Sequence, residues 1–281
     1  VEGGLVPFRS VRNTVNALKH YIHYGDHLKR RKERNVKKHF ETYDTVIPNN
    51  TILNEVDSKE ILRKIGIEFP KEKFVTSYAE AMHCVDSVGY PLVLKCVSRD
   101  IPHKTEAGAV KLNIQNEHEL KEAFSEIEQS VQNYNPDAKI EGYLMSEMVT
   151  DGLEMIVGIK SDPQFGQTIL VGMGGIYTEI FKDVSMGICP VDKDYALAMI
   201  SKLKTSLLLE GYRGSSKRDI TSLALTIEKL SQFAFQMKDR IQEIDLNPLM
   251  VFEEGQGVKA VDALIVSGDL NSRDLVNEQY F

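Results

Sequence analysis

The class this sequence predicts is α+β in two lobes, with mostly antiparallel sheets and helices laid on them. Three observations carry it. Helical and strand-like signals alternate from about residue 58 onward, in an order that does not fit a Rossmann-type parallel sheet. Several strand-like runs follow one another beyond Pro136. Finally, two strand-like runs flank Glu253-Glu254-Gly255-Gln256-Gly257, whose glycines read as a hairpin turn.

The elements follow in order. Residues Ser10 to about Lys38 have a helical pattern, with Ser10 as N-cap and Val11, Val15, Leu18, Ile22 and Leu28 in one stripe. Its end is very basic (Lys29, Arg30, Arg31, Lys32, Arg34, Lys37, Lys38) and reads as a solvated face or as a surface for an acidic partner. Thr42 to Asn50 reads as a tether that Pro48-Asn49-Asn50 ends, before a short helix from Ser58 to Ile65 capped by Gly66. Ser77 and Glu80 form a capping box for a helix running to Val88, and Leu92 to Val97 is a buried-looking strand. Strand Val110 to Ile114 and helix Glu117 to Tyr134 come next. Strand-like runs follow at Tyr143 to Val149, Leu153 to Lys160, Thr168 to Val171 and Tyr177 to Phe181. Helices Asp192 to Leu209 and Ile220 to Met237 precede the last two strands.

Composition narrows the function classes. With 281 residues and 42% hydrophobic content, the chain can bury a substantial core. A net charge of −7 does not suggest a nucleic-acid partner. Cys84, Cys96 and Cys189 lie far apart without CxxC spacing, which argues against disulfides and zinc and for a reducing cytoplasm. No apolar stretch approaches the ~20 residues that span a bilayer, so no membrane partner is expected.

The chemistry-bearing signals lie in five places. In Glu243-Ile244-Asp245-Leu246-Asn247-Pro248-Leu249, two carboxylates and an amide alternate and share one strand face, roughly 7 Å apart. The hairpin would lay Asp262 beside them, and few oxygen ligands with open positions suit magnesium better than calcium or zinc. A solvent-facing acidic strand is the competing reading. Lys95, on a strand face with Val93 and Val97, wants an anion to offset its desolvation; phosphate is the natural one, and snorkelling to water the bland alternative. Pro102-His103-Lys104-Thr105-Glu106-Ala107-Gly108 looks like a phosphate-facing loop, with His103 a candidate nucleophile and Lys104 a charge-steadying partner, although a lone loop histidine is usually a surface residue. Gly172-Met173-Gly174-Gly175 permits close backbone approach to a ligand or to a neighbouring strand. Ser146-Glu147-Met148-Val149 could offer backbone groups to a base edge, with Glu154 near a ribose hydroxyl.

Together with Asp162 to Gly166, Gly172 to Lys182 and Gly211-Tyr212-Arg213-Gly214, these segments resemble the ATP-grasp domain of ADP-forming acyl-CoA synthetases, over roughly residues 55 to 266. That family is similar to the β subunit of succinyl-CoA synthetase. The resemblance implies an ATP-grasp fold in which two α+β lobes clamp a nucleotide, preceded by an N-terminal helix and linker. It divides the chain into residues 1–38, a remnant of a preceding CoA-ligase domain; 39–54, a linker; 55–266, the ATP-grasp domain; and 267–281, a tail. By position it implies Lys95 on the nucleotide phosphates, Glu147 with Met148 and Val149 on adenine, Glu154 on ribose, and Gly174 and Gly175 near the nucleotide. Asn247, Asp262 and the supporting Asp245 would hold Mg2+. His103, with Lys104, would relay a phosphoryl group to ADP. Implied partners are CoA-binding and CoA-ligase domains, upstream or on another chain, with ATP/ADP, acyl-CoA and phosphate as small-molecule substrates. Ala109 stands where the family usually has a second glycine. The alternative is a degenerate regulatory module like that of fused protein acetyltransferases.

Overall fold

The structure is a computed structural model that describes residues 10–34, 43, 45–49, 51–101, 104–175 and 183–268. It divides into two compact units, Val1–Thr42 and Tyr43–Phe281. The first contributes helix α1 (Val11–Arg34), which Ser10 caps by accepting a hydrogen bond from the Asn13 amide at 3.2 Å. Val11, Val15, Leu18 and Ile22 of its apolar stripe are exposed.

The second unit holds two antiparallel sheets. The larger has strand order β1 (Thr51–Ile52), β11 (Leu264–Ser267), β9 (Ile241–Val251), β6 (Leu153–Asp162), β7 (Gly166–Met173), β8 (Val184–Ile188), with β10 (Val258–Ala260) also on β9. The smaller has the order β2 (Glu72–Val75), β5 (Gly142–Glu147), β3 (Leu92–Val97), β4 (Val110–Ile114).

Strand alternation sends one face of each sheet to helices and the other to the junction between them. On the large sheet Met155, Val157, Ile159, Ile169, Val171, Ile244 and Leu246 pack under α5 (Lys193–Ser201) and α7 (Ile220–Gln236), whose Leu223, Ile227, Leu230 and Phe233 are fully buried. Each such side chain contributes about 1.5–3 kcal/mol by burial. On the small sheet Leu92, Leu94, Cys96, Tyr143 and Met145 pack under α3 (Tyr78–Val88) and α4 (Glu117–Tyr134). The opposite faces are left to Val93, Lys95 and Val97 on β3 and to Glu243, Asp245 and Asn247 on β9.

Several sequence expectations change. Part of the expected linker is packed against the fold: Ile47 and Leu53 are buried in the large core, Tyr43 meets Phe233 edge-on at 5.6 Å, and β1 pairs with β11. The helix expected from Ser58 begins at Glu55, because the Asn54 side chain accepts the Asp57 amide at 2.8 Å and caps it earlier; this is α2 (Glu55–Lys64). The helix expected over 192–209 is two pieces, α5 and α6 (Ser206–Leu209). Buried Asp183 accepts the amides of Lys204 and Thr205 at 2.9 and 2.8 Å and so fixes the break. The strand expected after the 253–257 turn is broken at Val261–Ala263 into β10 and β11. The strand expected at 177–181 and the basic residues beyond Arg34 lie outside the described residues. No described helix is long and apolar enough to cross a membrane.

Candidate functional site

The polar faces of both sheets meet around Glu55, at the first turn of α2. Its carboxylate is fully buried, and three ammonium groups surround it: Lys59 of the same helix at 2.7 Å, Lys95 of β3 at 2.8 Å and Lys104 at 3.0 Å. The Lys104 contact is an ion pair off the line of a hydrogen bond. Burial alone would raise the Glu55 pKa, but the lysines together, Lys95 foremost, hold it well below the usual carboxylate range. Lys59 also pairs with Glu72 of β2, which Arg63 of α2 engages through its other oxygen. Lys59 and Lys95 both donate to the Val261 carbonyl, at 2.8 and 3.0 Å. The anion that offsets the desolvation of Lys95 is therefore a carboxylate of the chain. Burial would lower the Lys95 pKa, but Asp262 and Glu55 outweigh it and raise it.

Asp262 lies at the break between β10 and β11. The pairings Ala260↔Leu249 and Leu264↔Asp245 belong to one register, which sets Asp262 opposite Asn247. The hairpin through 253–257 thus brings the three oxygen-bearing residues together, as the spacing predicted. A bulge at Asn247-Pro248 against Ile156 lets β9 bend there, where Pro248 has no amide to give to the ladder. Asp262 also faces Lys95 at 3.6 Å and Lys104 at 3.9 Å.

Asp245 has no cation or hydrogen-bond donor among the described residues. Burial, with repulsion from Glu243 and Asp262, pushes it up from 3.8 to about 7. Glu243 is spoken for, since Lys160 of β6 reaches it at 2.6 Å. An uncompensated carboxylate, a second one beside it and an amide oxygen are a donor set that a small hard cation fits. No group of three His, Cys, Asp or Glu side chains suited to an ion occurs among the described residues, so such a site would depend on the Asn247 amide.

The remaining candidates divide. Glu147, at the end of β5, is paired through its side chain with Lys259 of β10 at 2.7 Å. Of the three amides here, that of Glu147 is donated to the Lys71 carbonyl at 2.9 Å and that of Met148 to the Pro91 carbonyl at 3.1 Å, while that of Val149 has no acceptor among the described residues. Glu154 is exposed on β6 and is brought against the glycine pair: its carbonyl accepts the Gly174 amide at 2.8 Å. A Cβ on Gly174 would lie 3.1 Å from the Glu154 backbone, and Gly175 has φ +63°. Close packing against the Glu154 backbone thus accounts for Gly174, and the positive φ for Gly175. His103 lies outside the described residues.

Glu55, Lys59, Glu72 and Lys259 were not foreseen. The i, i+4 spacing of Glu55 and Lys59 was visible as a helical ion pair, but nothing local announces that Lys95 and Lys104 converge on it.

A family model described as an ATP-grasp domain matches residues 46–266. The chain belongs to the ATP-grasp family. Its ATP-grasp domain is 38% identical over 223 residues to the β subunit of acetate–CoA ligase (ADP-forming) II from Pyrococcus furiosus, covering 79% of this chain and 94% of that one. It is 42% identical over 213 residues to 4-hydroxybutyrate–CoA ligase (ADP-forming) from Nitrosopumilus maritimus, covering 76% of this chain but only 30% of that one. The solved dinucleotide-forming acetyl-coenzyme A synthetase 1 of Ca. Korarchaeum cryptofilum is similar in two ligand states. With coenzyme A, Ca-AMPCP and HgCl+ it superposes with TM-score 0.74 at 33% identity, covering 86% of this chain and 98% of that one. With coenzyme A and Mg-AMPPCP, its phosphohistidine segment pointing towards the nucleotide binding site, the TM-score is 0.66 at 32% identity, covering 77% and 93%. The ATP-grasp fold expected from the sequence, with two antiparallel α+β lobes, is the one observed.

Proposed function

We propose that this chain is the nucleotide-binding part of an ADP-forming acyl-CoA synthetase, with acetate or another short acid as the acyl group. It would transfer a phosphoryl group reversibly between a phosphohistidine and ADP, and so couple acyl-CoA cleavage to ATP formation. One observation carries the reading: the Asp245, Asn247 and Asp262 oxygens share a junction with the Lys95 and Lys104 ammonium groups, a pairing suited to a cation-bearing polyphosphate. The likeness to a synthetase bound to Mg-AMPPCP supports it.

In this reading Lys95 meets the nucleotide phosphates, and the Val149 amide, with Glu147 and Met148 beside it, faces the base. Glu154 takes the ribose, next to Gly174 and Gly175. Asn247 and Asp262, supported by Asp245, would hold magnesium, which when bound neutralises phosphate charge. His103 gives its phosphoryl group to a terminal ADP oxygen: the N–P bond breaks, the new O–P bond forms, and the imidazole nitrogen recovers its lone pair. Lys104 steadies the charge in transit. CoA-binding and CoA-ligase domains, on the same or a partner chain, would supply the acyl-phosphate chemistry, so the chain by itself would not complete the reaction.

The test is phosphoryl labelling with magnesium and γ-labelled ATP. Acid-labile, base-stable label on the wild type, absent from His103→Ala, is the expected result. A His103→Ala variant that labels like the wild type would remove the relay.

A further inference from the structure

We propose that Glu55 is a positioning residue that keeps Asp262 available to a divalent cation, by drawing the ammonium groups of Lys95 and Lys104 toward itself. The inference rests on the reading of Asp262 as a magnesium ligand. It adds a residue which that reading does not contain.

The geometry is a competition between two carboxylates for the same two cations. Lys95 lies 2.8 Å from Glu55 and 3.6 Å from Asp262; Lys104 lies 3.0 Å from Glu55 and 3.9 Å from Asp262. Both lysines lie closer to the first carboxylate and keep only a longer ion pair, 0.8–0.9 Å further out, with the second. The two acids also differ in environment. Glu55 is sealed from solvent, so its attraction is barely screened, whereas the Asp262 side chain is 32% exposed. Lys59 anchors the arrangement from the far side, because it touches Glu55, Glu72 and the Val261 carbonyl at once. Lys95 shares that carbonyl, so the residue immediately before Asp262 is held by the same ammonium groups.

Without the Glu55 charge, Asp262 is the carboxylate nearest to both Lys95 and Lys104. The lysines would close on it and occupy the oxygens that a cation needs. Helix stability alone does not account for Glu55. An acid is favourable in a first helical turn, and half-buried Asp57 already supplies one, but sealing a carboxylate among three lysines carries a desolvation cost that a more exposed position avoids.

The experiment titrates manganese(II), followed by its electron paramagnetic resonance signal, into the full chain with ADP. ADP affinity without metal and urea unfolding are measured beside it. Glu55→Gln is expected to weaken Mn2+ binding by about 10- to 100-fold, as loss of an outer-shell partner does. Metal-free ADP affinity should not fall. The double variant Glu55→Gln with Lys104→Met should recover much of the lost Mn2+ affinity, because one of the competing cations is gone. A purely structural role would lower ADP affinity with and without metal alike and would not be relieved by Lys104→Met. That pattern, or wild-type Mn2+ affinity in Glu55→Gln, overturns the inference. Asp262→Asn separates it from its foundation: if that variant binds Mn2+ like the wild type, the metal reading itself has failed. Should Glu55→Gln not fold, Lys104→Met alone carries the test. Asp262 then has one competitor fewer, Mn2+ affinity should rise, and unchanged or weaker affinity refutes the proposal.

Discussion

Replacing Asp245 by asparagine should stabilise the protein in the absence of metal and nucleotide, by an amount that grows as the pH rises above about 4 and levels off above about 7. Asp245 is a partly buried carboxylate without a cation or donor among the described residues, facing Glu243 and Asp262, and its pKa is raised from 3.8 to about 7. In the unfolded chain it ionises near its ordinary value. Between those two values the folded state binds more protons than the unfolded state, so this group makes stability fall as pH rises. Below the lower value the contribution is nil, and above the upper one the penalty is complete. A rise of about 3 in pKa corresponds to about 4 kcal/mol, a ceiling because the side chain keeps some contact with water. Asparagine has nearly the same shape and no charge, and its amide can donate to the neighbouring carboxylates. Urea unfolding of chelator-treated protein should therefore find Asp245→Asn about 2–4 kcal/mol more stable at pH 8 and within about 1 kcal/mol of wild type at pH 4. Equal stability at pH 8, or an equal gain at both pH values, would refute the argument that burial and charge repulsion raise this group.

Asp219→Ala should cost about 2–4 kcal/mol in urea unfolding, because one buried carboxylate accepts the Ser222 amide to cap α7 and the amides of Gly255 and Gly257 to close the hairpin turn. Burial alone would raise its pKa, but these hydrogen bonds lower it, so its contribution is present above the ordinary aspartate value and should be lost as the pH falls below about 4. Cys96 and Cys189 are buried and their thiols are pushed up to about 11 by that burial, so a thiol reagent at pH 8 should label Cys84 first and the other two only on unfolding. Gly142→Ala should disturb the β2–β5 edge, because a Cβ there would lie 2.8 Å from the Val75 carbonyl and 2.5 Å from the Phe74 ring. Amide exchange in Phe74 and Val75 should accelerate, while the large sheet stays protected.

What the sequence disclosed follows from the range of the forces involved. Strand alternation and turn glycines act over a few residues, so the 253–257 hairpin and the shared face of Asp245 and Asn247 could be read directly. Capping is equally local, and Ser77 closes its helix where expected, although Glu80 reaches back to Thr76 and not to Ser77 itself. The start of α2 lies three residues before the expected Ser58 because Asn54, within the span read as linker, is its N-cap. The buried charge cluster was out of reach for a different reason. Lys95 was visible as a lysine in an apolar strand, but Glu55 lies 40 residues away in sequence and Asp262 a further 167 beyond Lys95, and no periodicity links them. Tertiary contact alone decides which anion a buried lysine meets.

That cluster also says how the two sheets are joined. Their apolar cores are separate, one under α5 and α7 and one under α3 and α4, and the contacts that bridge the sheets include Lys95 with Glu55, Lys59 with Glu72 and Lys259 with Glu147. Buried ion pairs are weak evidence for stability, since well-packed apolar side chains of similar volume often hold as well or better. A junction selected for strength alone would be expected to continue one core into the other. A charged junction instead holds ammonium groups and carboxylates in position at a polar surface, where the cation and polyanion of the proposed function would redistribute them. The strained Asp245 fits the same logic. Its burial and the repulsion from its neighbours weaken the empty protein at neutral pH and would be relieved by a bound cation, so a residue that costs the fold stability is one of those the proposed site needs.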